Sequence, residues 1–266
     1  MNIIVCVKQI LDPEIPVSKF VINRELKTVV MPEGIPPVIS PYDEEALEIA
    51  IRLKEKIGGK VVALSVSGKE EVGVLRHAVA MGADEGILLK IENHVDVDGF
   101  NTAEVLSKAI QKIGDCDLIL CGKESSDWER GVTGPVMALN LGIDAVAGVR
   151  NVTSDGEALC IEKETEDGFE KWLVTAPVLI TVCGLNEKPR IPTGMGIIKA
   201  ARKAIPVWST EDVNPDKAAM SQFSNHIRLV DLELANYERQ CHMYDDKDIK
   251  ESGVKLAQDI KRLIPE

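Results

Sequence analysis

The sequence predicts an α/β fold: a mostly parallel, Rossmann-like sheet with helices on both faces, an antiparallel strand extension, and a C-terminal arm carrying a helix. Three observations carry that expectation. Apolar runs of strand length alternate with stretches of 3.6-residue apolar periodicity through the first half of the 266 residues. Aromatic residues make up only 4% of the chain, so Val, Ile, Leu and Ala must fill the core, as in buried parallel strands covered by helices. Past residue 145 the helical rhythm gives way to strand-like runs separated by turn signals. Residues 1–205 read as the α/β domain and 206–266 as an arm.

The elements follow in order. Residues 2–7 form a continuous apolar run, and the polar, proline-punctuated stretch 8–37 contains a hairpin-like excursion. Ser40-Pro41-Tyr42-Asp43 reads as a helix start, with serine as cap, proline in the first helical position and an acid three residues after the cap. Ala46, Ile49, Ala50, Leu53 and Ile57 keep the helical period until Gly58-Gly59. Residues 60–66 are a second strand closed by Ser67-Gly68, residues 70–81 a helix through Val74, Leu75, Ala78 and Met81, and residues 85–90 a third strand. Asn101 with Glu104 reads as a capping box for a helix lined by Val105, Leu106, Ala109, Ile110 and Ile113. Residues 117–121 are a fourth strand and 136–141 continue as helix. The runs 145–152, 159–164, 169–174 and 178–182 read as the antiparallel extension. A final amphipathic helix spans 248–263, while 212–243 hold too few apolar residues for a core of their own.

Composition narrows the functions. A net charge of −12 repels phosphate backbones and anionic lipid, which argues against nucleic-acid binding. No window of about 18 apolar residues is present, and a cytoplasmic protein is expected. The six cysteines form no CxxC pair and read as small buried hydrophobes, so no metal is assigned. His77, His94, His226 and His242 stand in unrelated contexts without GxSxG or HExxH, and His77 reads as structural. Catalysis by the chain's own side chains is not expected; a bound cofactor would supply the chemistry.

Parallel sheets bind ligands beyond the carboxyl ends of their strands, which directs attention to the loops after residues 7, 66 and 121. The segment Gly122-Lys123-Glu124-Ser125-Ser126-Asp127 through Gly131-Val132-Thr133 to Pro135 follows a strand and enters a helix. Its small residues let backbone N–H groups approach a phosphate, and the helix start adds a favourable dipole. The pattern is neither a Walker loop nor GxGxxG, and turn punctuation explains it equally well. Lys8, Ser40 and Ser67 point to the same rim, though each reads equally as a surface charge, a cap or a turn.

The chain resembles the β subunit of electron-transfer flavoproteins over nearly its whole length. The resemblance rests on Val5-Cys-Val-Lys-Gln9, Ser40-Pro-Tyr-Asp-Glu44, Leu75-Arg-His-Ala-Val-Ala-Met-Gly-Ala-Asp84 and Gly122 to Pro135. It continues through Ile161-Glu-Lys, Glu166-Asp-Gly-Phe-Glu170, Pro177-Val-Leu-Ile-Thr181, Leu185-Asn-Glu-Lys-Pro-Arg-Ile-Pro-Thr193 and Lys199-Ala-Ala-Arg-Lys203. It implies a heterodimer with an FAD-carrying α subunit, against which the arm 206–266 packs, while the β subunit holds a second adenine nucleotide. Conventional members hold AMP; electron-bifurcating members hold FAD, which takes a hydride from NADH and splits the electrons between a high- and a low-potential acceptor. By position, the implied nucleotide contacts are Cys6, then Ser40, Pro41, Tyr42 and Asp43, then Val66, then Gly122, Lys123, Glu124, Ser125, Ser126 and Asp127, and finally Gly131, Val132 and Thr133. Leu185 is implied to dock an FAD-dependent dehydrogenase, and ferredoxin is an implied acceptor. Ser40 stands where many members have Asn, Val132 where Gln is frequent, Val66 where a small or sulfur-bearing residue occurs, and Trp172 where an aliphatic residue is usual. Lys188 is an apparent insertion in the docking loop.

The first expectation is therefore an electron-transferring subunit holding FAD, and the second a conventional subunit holding AMP. A nucleotide-sensing protein of the universal-stress type shares the general fold and would be a self-sufficient homodimer. A hydrolase on this fold lacks its nucleophile and base.

Overall fold

Where apolar residues run continuously the chain extends, and where they recur every third or fourth residue it coils. A computed structural model describes residues 1–30, 32–91, 98–154, 156, 158–185, 188–213, 227–234, 241–244 and 248–264. His94, His226, Asp155, Asn186, Glu187 and most of the stretch 212–243 lie outside the described residues. Strand β1 (Asn2–Cys6) leads into a connection holding β2 (Gln9–Ile10), the hairpin of β3 (Val21–Asn23) and β4 (Thr28–Val30), and β5 (Val38–Ile39), which pairs with β2. The alternation continues with α1 (Pro41–Ile57), β6 (Lys60–Ser67), α2 (Gly73–Met81), β7 (Glu85–Lys90), α3 (Gly99–Ile113), β8 (Leu118–Gly122) and α4 (Thr133–Leu141). Then come β9 (Asp144–Ser154), β10 (Leu159–Thr165), β11 (Gly168–Val174), β12 (Val178–Val182), α5 (Gly194–Arg202), β13 (Val207–Ser209), α6 (Thr210–Val213) and α7 (Ile249–Leu263).

Among the described residues the main sheet runs β11-β10-β9-β12-β8-β1-β6-β7-β13. Successive residues of its central strands face opposite sides. Ile3, Val5, Leu118 and Leu120 pack under α1 and α2. Ile4, Cys6, Ile119 and Cys121 pack under α3 and α4. Helices thus cover both faces, as the alternation predicted. Each buried Leu contributes about 2 kcal/mol, so paired clusters of this size dominate the fold's stability.

Two expectations change. The run 145–182 is antiparallel only where β10 opposes β9 and β11; β9 and β12 run parallel to the central strands. All five residues of β12 are buried, and an all-apolar strand is stable only between covered faces, where β12 slots between β8 and β9. Asn101 and Glu104 form no capping box. Helix α3 starts earlier, on Asp98, whose carboxylate accepts the backbone N–H groups of Phe100 and Asn101. Beyond residue 205, β13 pairs with β7 at the sheet's far edge.

The chain divides into units Met1–Leu232 and Glu233–Glu266. Within the second, the Tyr244 hydroxyl donates to Asp259 at 2.6 Å and the His242 ring stacks on Tyr244, while α7 leaves Ile249, Val254, Ile260 and Leu263 exposed.

An ion-pair cluster anchors the segment before α5 to α1. Arg190 donates its backbone N–H and its guanidinium to Glu48, and its outer nitrogens to Glu55. Arg52 also donates to Glu48, whose side chain is 3% exposed. Burial alone would raise the Glu48 carboxyl, but the Arg190 hydrogen bonds hold it below its ordinary value. Arg190→Ala leaves this buried charge with Arg52 alone, so we expect a loss of about 2 kcal/mol at neutral pH in urea denaturation. A lowered pKa means the contribution exists above the ordinary carboxylate range and is lost as pH falls through the folded value, so the deficit should shrink in acid. A pH-independent deficit would assign the loss to packing instead.

Candidate functional site

Strand order reverses beside β1. Helix α1 carries the chain from β1 to β6 on one side, and α3 returns it from β7 to β8 on the other. The loops leaving the carboxyl ends of β1 and β8 bound the crevice where such sheets bind ligands. Three walls surround it: Val7, Lys8 and Gln9; the start of α1; and the loop from Gly122 to Thr133.

Asp43 binds the walls together. One carboxylate oxygen accepts the backbone N–H of Lys8 at 2.8 Å and the other that of Gly122 at 2.7 Å. The helix starts where expected, with Ser40 at the cap position and Pro41 first in the helix, but the expected side-chain capping bonds are not made. Asp43 reaches across to other loops rather than back to its own helix end, and the Ser40 hydroxyl makes no capping bond. That hydroxyl is fully buried and finds no partner. Proline at the first helical position has no N–H to offer it, while the Asp43 and Glu44 N–H groups are taken by the Ser40 carbonyl.

Lys8 touches all three walls. Its carbonyl accepts from Ser40 N–H, its own N–H goes to Asp43, and its ammonium donates to Ser125 Oγ at 3.2 Å and to both Asp127 oxygens at 2.7 Å. The Lys8 and Asp127 side chains are 38% and 30% exposed, so the pair is worth at most about 1 kcal/mol of stability. Lys8 lies beside Ser125 as a base would beside a nucleophile, but paired with a carboxylate it serves as a charge. The sequence hides its importance, because a lysine after a strand looks like any surface cation.

The third wall is shaped by close approach. A Cβ on Gly122 would lie 2.7 Å from Asp43 Oδ1 and from Tyr42 Cβ. Lys123 donates its N–H to Val182, its ammonium pairs with Glu124 and lies 5.6 Å from the Tyr42 ring centroid. Gly131 takes a φ of +63°, open to glycine at no cost, and α4 begins at Thr133 on a Val132 cap that supplies no side-chain acceptor.

Four buried side-chain oxygens have no partner among the described residues: Gln9 Oε1, Ser40 Oγ, Glu45 Oε2 and Ser126 Oγ. All four lie in the three walls or the first two turns of α1. An unsatisfied buried polar atom costs about 1–3 kcal/mol, so four at one rim fit a hydrogen-bonding ligand with both donors and acceptors, as a nucleotide has.

Other expected residues sit differently. Cys6 turns its thiol into the core 4.0 Å from Met137 Sδ, and burial pushes the thiol well up. Val66, at the end of β6, packs against the α3-side cluster. Leu185 packs partly on the α1-side core, whereas Ile191, Met195 and Ile198 downstream are exposed. His77 lies 2.8 Å from Glu44 and links α2 to α1, which agrees with a structural role.

Comparison with known proteins gives a consistent answer. The electron transfer flavoprotein domain matches residues 27–213. An electron transfer flavoprotein subunit beta from Thermoanaerobacterium thermosaccharolyticum is 36% identical over 97% of each chain. Its counterpart from Clostridium acetobutylicum is 31% identical over 98% of each. A Caffeyl-CoA reductase-Etf complex subunit from Acetobacterium woodii is 30% identical over 80% of each.

Proposed function

The chain belongs to the electron transfer flavoprotein family as a β subunit, and on that premise we propose that its rim holds FAD and that it passes electrons, from NADH by flavin-based bifurcation, to the α-subunit FAD and a partner dehydrogenase. The supporting observation is the set of orphaned buried oxygens around the crevice between β1 and β8. When bound, the flavin supplies hydride acceptance and one-electron transfer. The chain's own residues bind and orient it. Ser40 and Ser126 offer unpartnered hydroxyls, Lys8 and Lys123 offer positive charge, and Asp43 keeps the β1 and β8 loops in register. Cys6 contributes backbone only, and Val66 an apolar wall. Pro41, Tyr42, Glu124, Ser125, Asp127, Gly131, Val132 and Thr133 complete the lining.

AMP is the second reading, because the walls grip the adenosine half that both nucleotides share. A relative named as part of a reductase-Etf complex favours a subunit working inside a larger redox assembly, which is the setting that bifurcation needs. In this reading Leu185 belongs to the dehydrogenase-docking loop, ferredoxin is the low-potential acceptor and the complex is cytoplasmic.

The test is to purify the chain with its α subunit, release cofactors with acid and count them. We expect two flavins and no AMP per heterodimer. One flavin with one AMP would replace bifurcation by the conventional role, and an α–β complex without any flavin would remove the redox reading.

A further inference from the structure

We propose that Lys8 is the phosphate-binding cation of the rim, held ready by Asp127 and Ser125 and handed to the ligand's phosphate when the nucleotide enters. The inference rests on the nucleotide reading above and adds to it which side chain recognises which chemical group. It applies to AMP and to the pyrophosphate of FAD alike.

The geometry supplies the argument. The protein carries a net charge of −12, and Asp43, Glu44, Glu45, Glu124, Asp127 and Glu129 lie in or beside the walls, so an incoming phosphate meets a repulsive field. Three cations stand against this. Lys123 pairs with Glu124 and leans over Tyr42, and Arg130 lies over the Trp128 ring, 5.1 Å from its centroid. Lys8 differs because its backbone is fixed at both ends, by Asp43 and by Ser40, so its root cannot drift. Its ammonium projects from the β1 end to the loop after β8, where it meets Ser125 and Asp127, the residues on either side in sequence of Ser126, whose buried hydroxyl is unpartnered. Lys8 and Asp127 are about one-third exposed, so water screens their attraction and little is lost when the ammonium turns toward a phosphate. A lysine ammonium has three donors, so it can keep Ser125 while it engages phosphate oxygens. Asp127, released, becomes an acceptor for a ribose hydroxyl, the role acids take in other nucleotide-binding α/β sheets.

The experiment uses the α–β complex stripped of nucleotide on charcoal and compares AMP with adenosine by calorimetry, since the two differ only in the phosphate. Wild type should prefer AMP. Lys8→Met should cut that preference by roughly tenfold to a hundredfold while leaving adenosine affinity within about threefold, the size expected for losing one hydrogen bond to a charged group. Lys8→Arg should keep most of the preference. Equal weakening of AMP and adenosine in Lys8→Met would mean that Lys8 merely braces the loops, and the proposal would fall. Should Lys8→Met not fold, the wild-type AMP preference must still decline as salt rises above about 0.15 M, where the Debye length drops below about 8 Å; a salt-independent preference overturns the proposal. If wild type binds neither probe, the nucleotide reading itself has failed, which is a separate result.

Discussion

Gly122→Ala is expected to lower the unfolding midpoint by about 6–12 °C and to abolish nucleotide retention. The added Cβ would sit 2.7 Å from Asp43 Oδ1 and Tyr42 Cβ and 3.0 Å from the Asp43 backbone nitrogen. Asp43 Oδ1 ends a side chain pinned by two backbone N–H groups, and Tyr42 Cβ and the Asp43 nitrogen move only with the backbone, so the conflict must be relieved by moving α1 away from β8. That movement breaks the buried Gly122 N–H bond to Asp43. Overpacking and the lost hydrogen bond together come to about 3 kcal/mol, which in a chain of this size shifts the midpoint by about 2–4 °C per kcal/mol. Gly73→Ala provides the control, because a Cβ there meets nothing within 4 Å. Equal midpoints for the two variants would show that the wall is softer than its contacts imply. Loss of stability with nucleotide still retained at wild-type level would separate the wall from the site.

The sequence made the sheet legible because buried parallel strands are written as unbroken apolar runs, and β1, β6, β7 and β8 appear at the expected places. The position of β12 was not legible. Its residues show that it is buried on both faces, but no local pattern says that it lies between β8 and β9. Three-residue β13 is too short for any periodicity. At the rim, the segments were legible through the family resemblance and the roles of their side chains were not. Ser40-Pro-Tyr-Asp satisfies every local rule for a capped helix, yet the hydroxyl is orphaned and the acid serves two other loops. Lys8 was one rim candidate among several and Gln9 only part of a motif; their contacts, and Glu45, became visible only when the walls were brought together, since contacts between residues 8, 43 and 122–127 leave no mark on local sequence. Asp98 was hidden by a competing pattern: Asn101 and Glu104 have the right spacing for a cap one turn too late.

Wild-type stability relative to Asp43→Asn is expected to fall by about 3 kcal/mol between pH 5 and pH 8. Burial pushes the Asp43 carboxyl up to about 7, partly opposed by the hydrogen bonds from Gly122 and Lys8 and by the Lys8 charge, and reinforced by Asp127. In the unfolded chain the same group titrates near 3.9. The folded state therefore holds its proton more tightly, and the contribution is complete below the unfolded value and lost as pH rises through about 7. From pH 5 to about 7 the folded carboxyl keeps its proton while the unfolded one is ionised, so each step of one in pH removes about 1.36 kcal/mol. Above about 7 both states are ionised and the loss levels off. The asparagine variant has no proton to titrate at this position, so the difference between the two chains isolates this one group from Glu48, Glu55 and Asp84, whose lowered carboxyls act in the opposite direction. In mild acid the protonated wild-type carboxyl, like asparagine, turns one donor toward a backbone N–H, so the two chains should be closest in stability there, and the wild type should lose ground as pH rises. Parallel profiles would mean that Asp43 stays ionised throughout, with the two N–H groups and the Lys8 charge outweighing burial; the wall would then be held by a permanent anion.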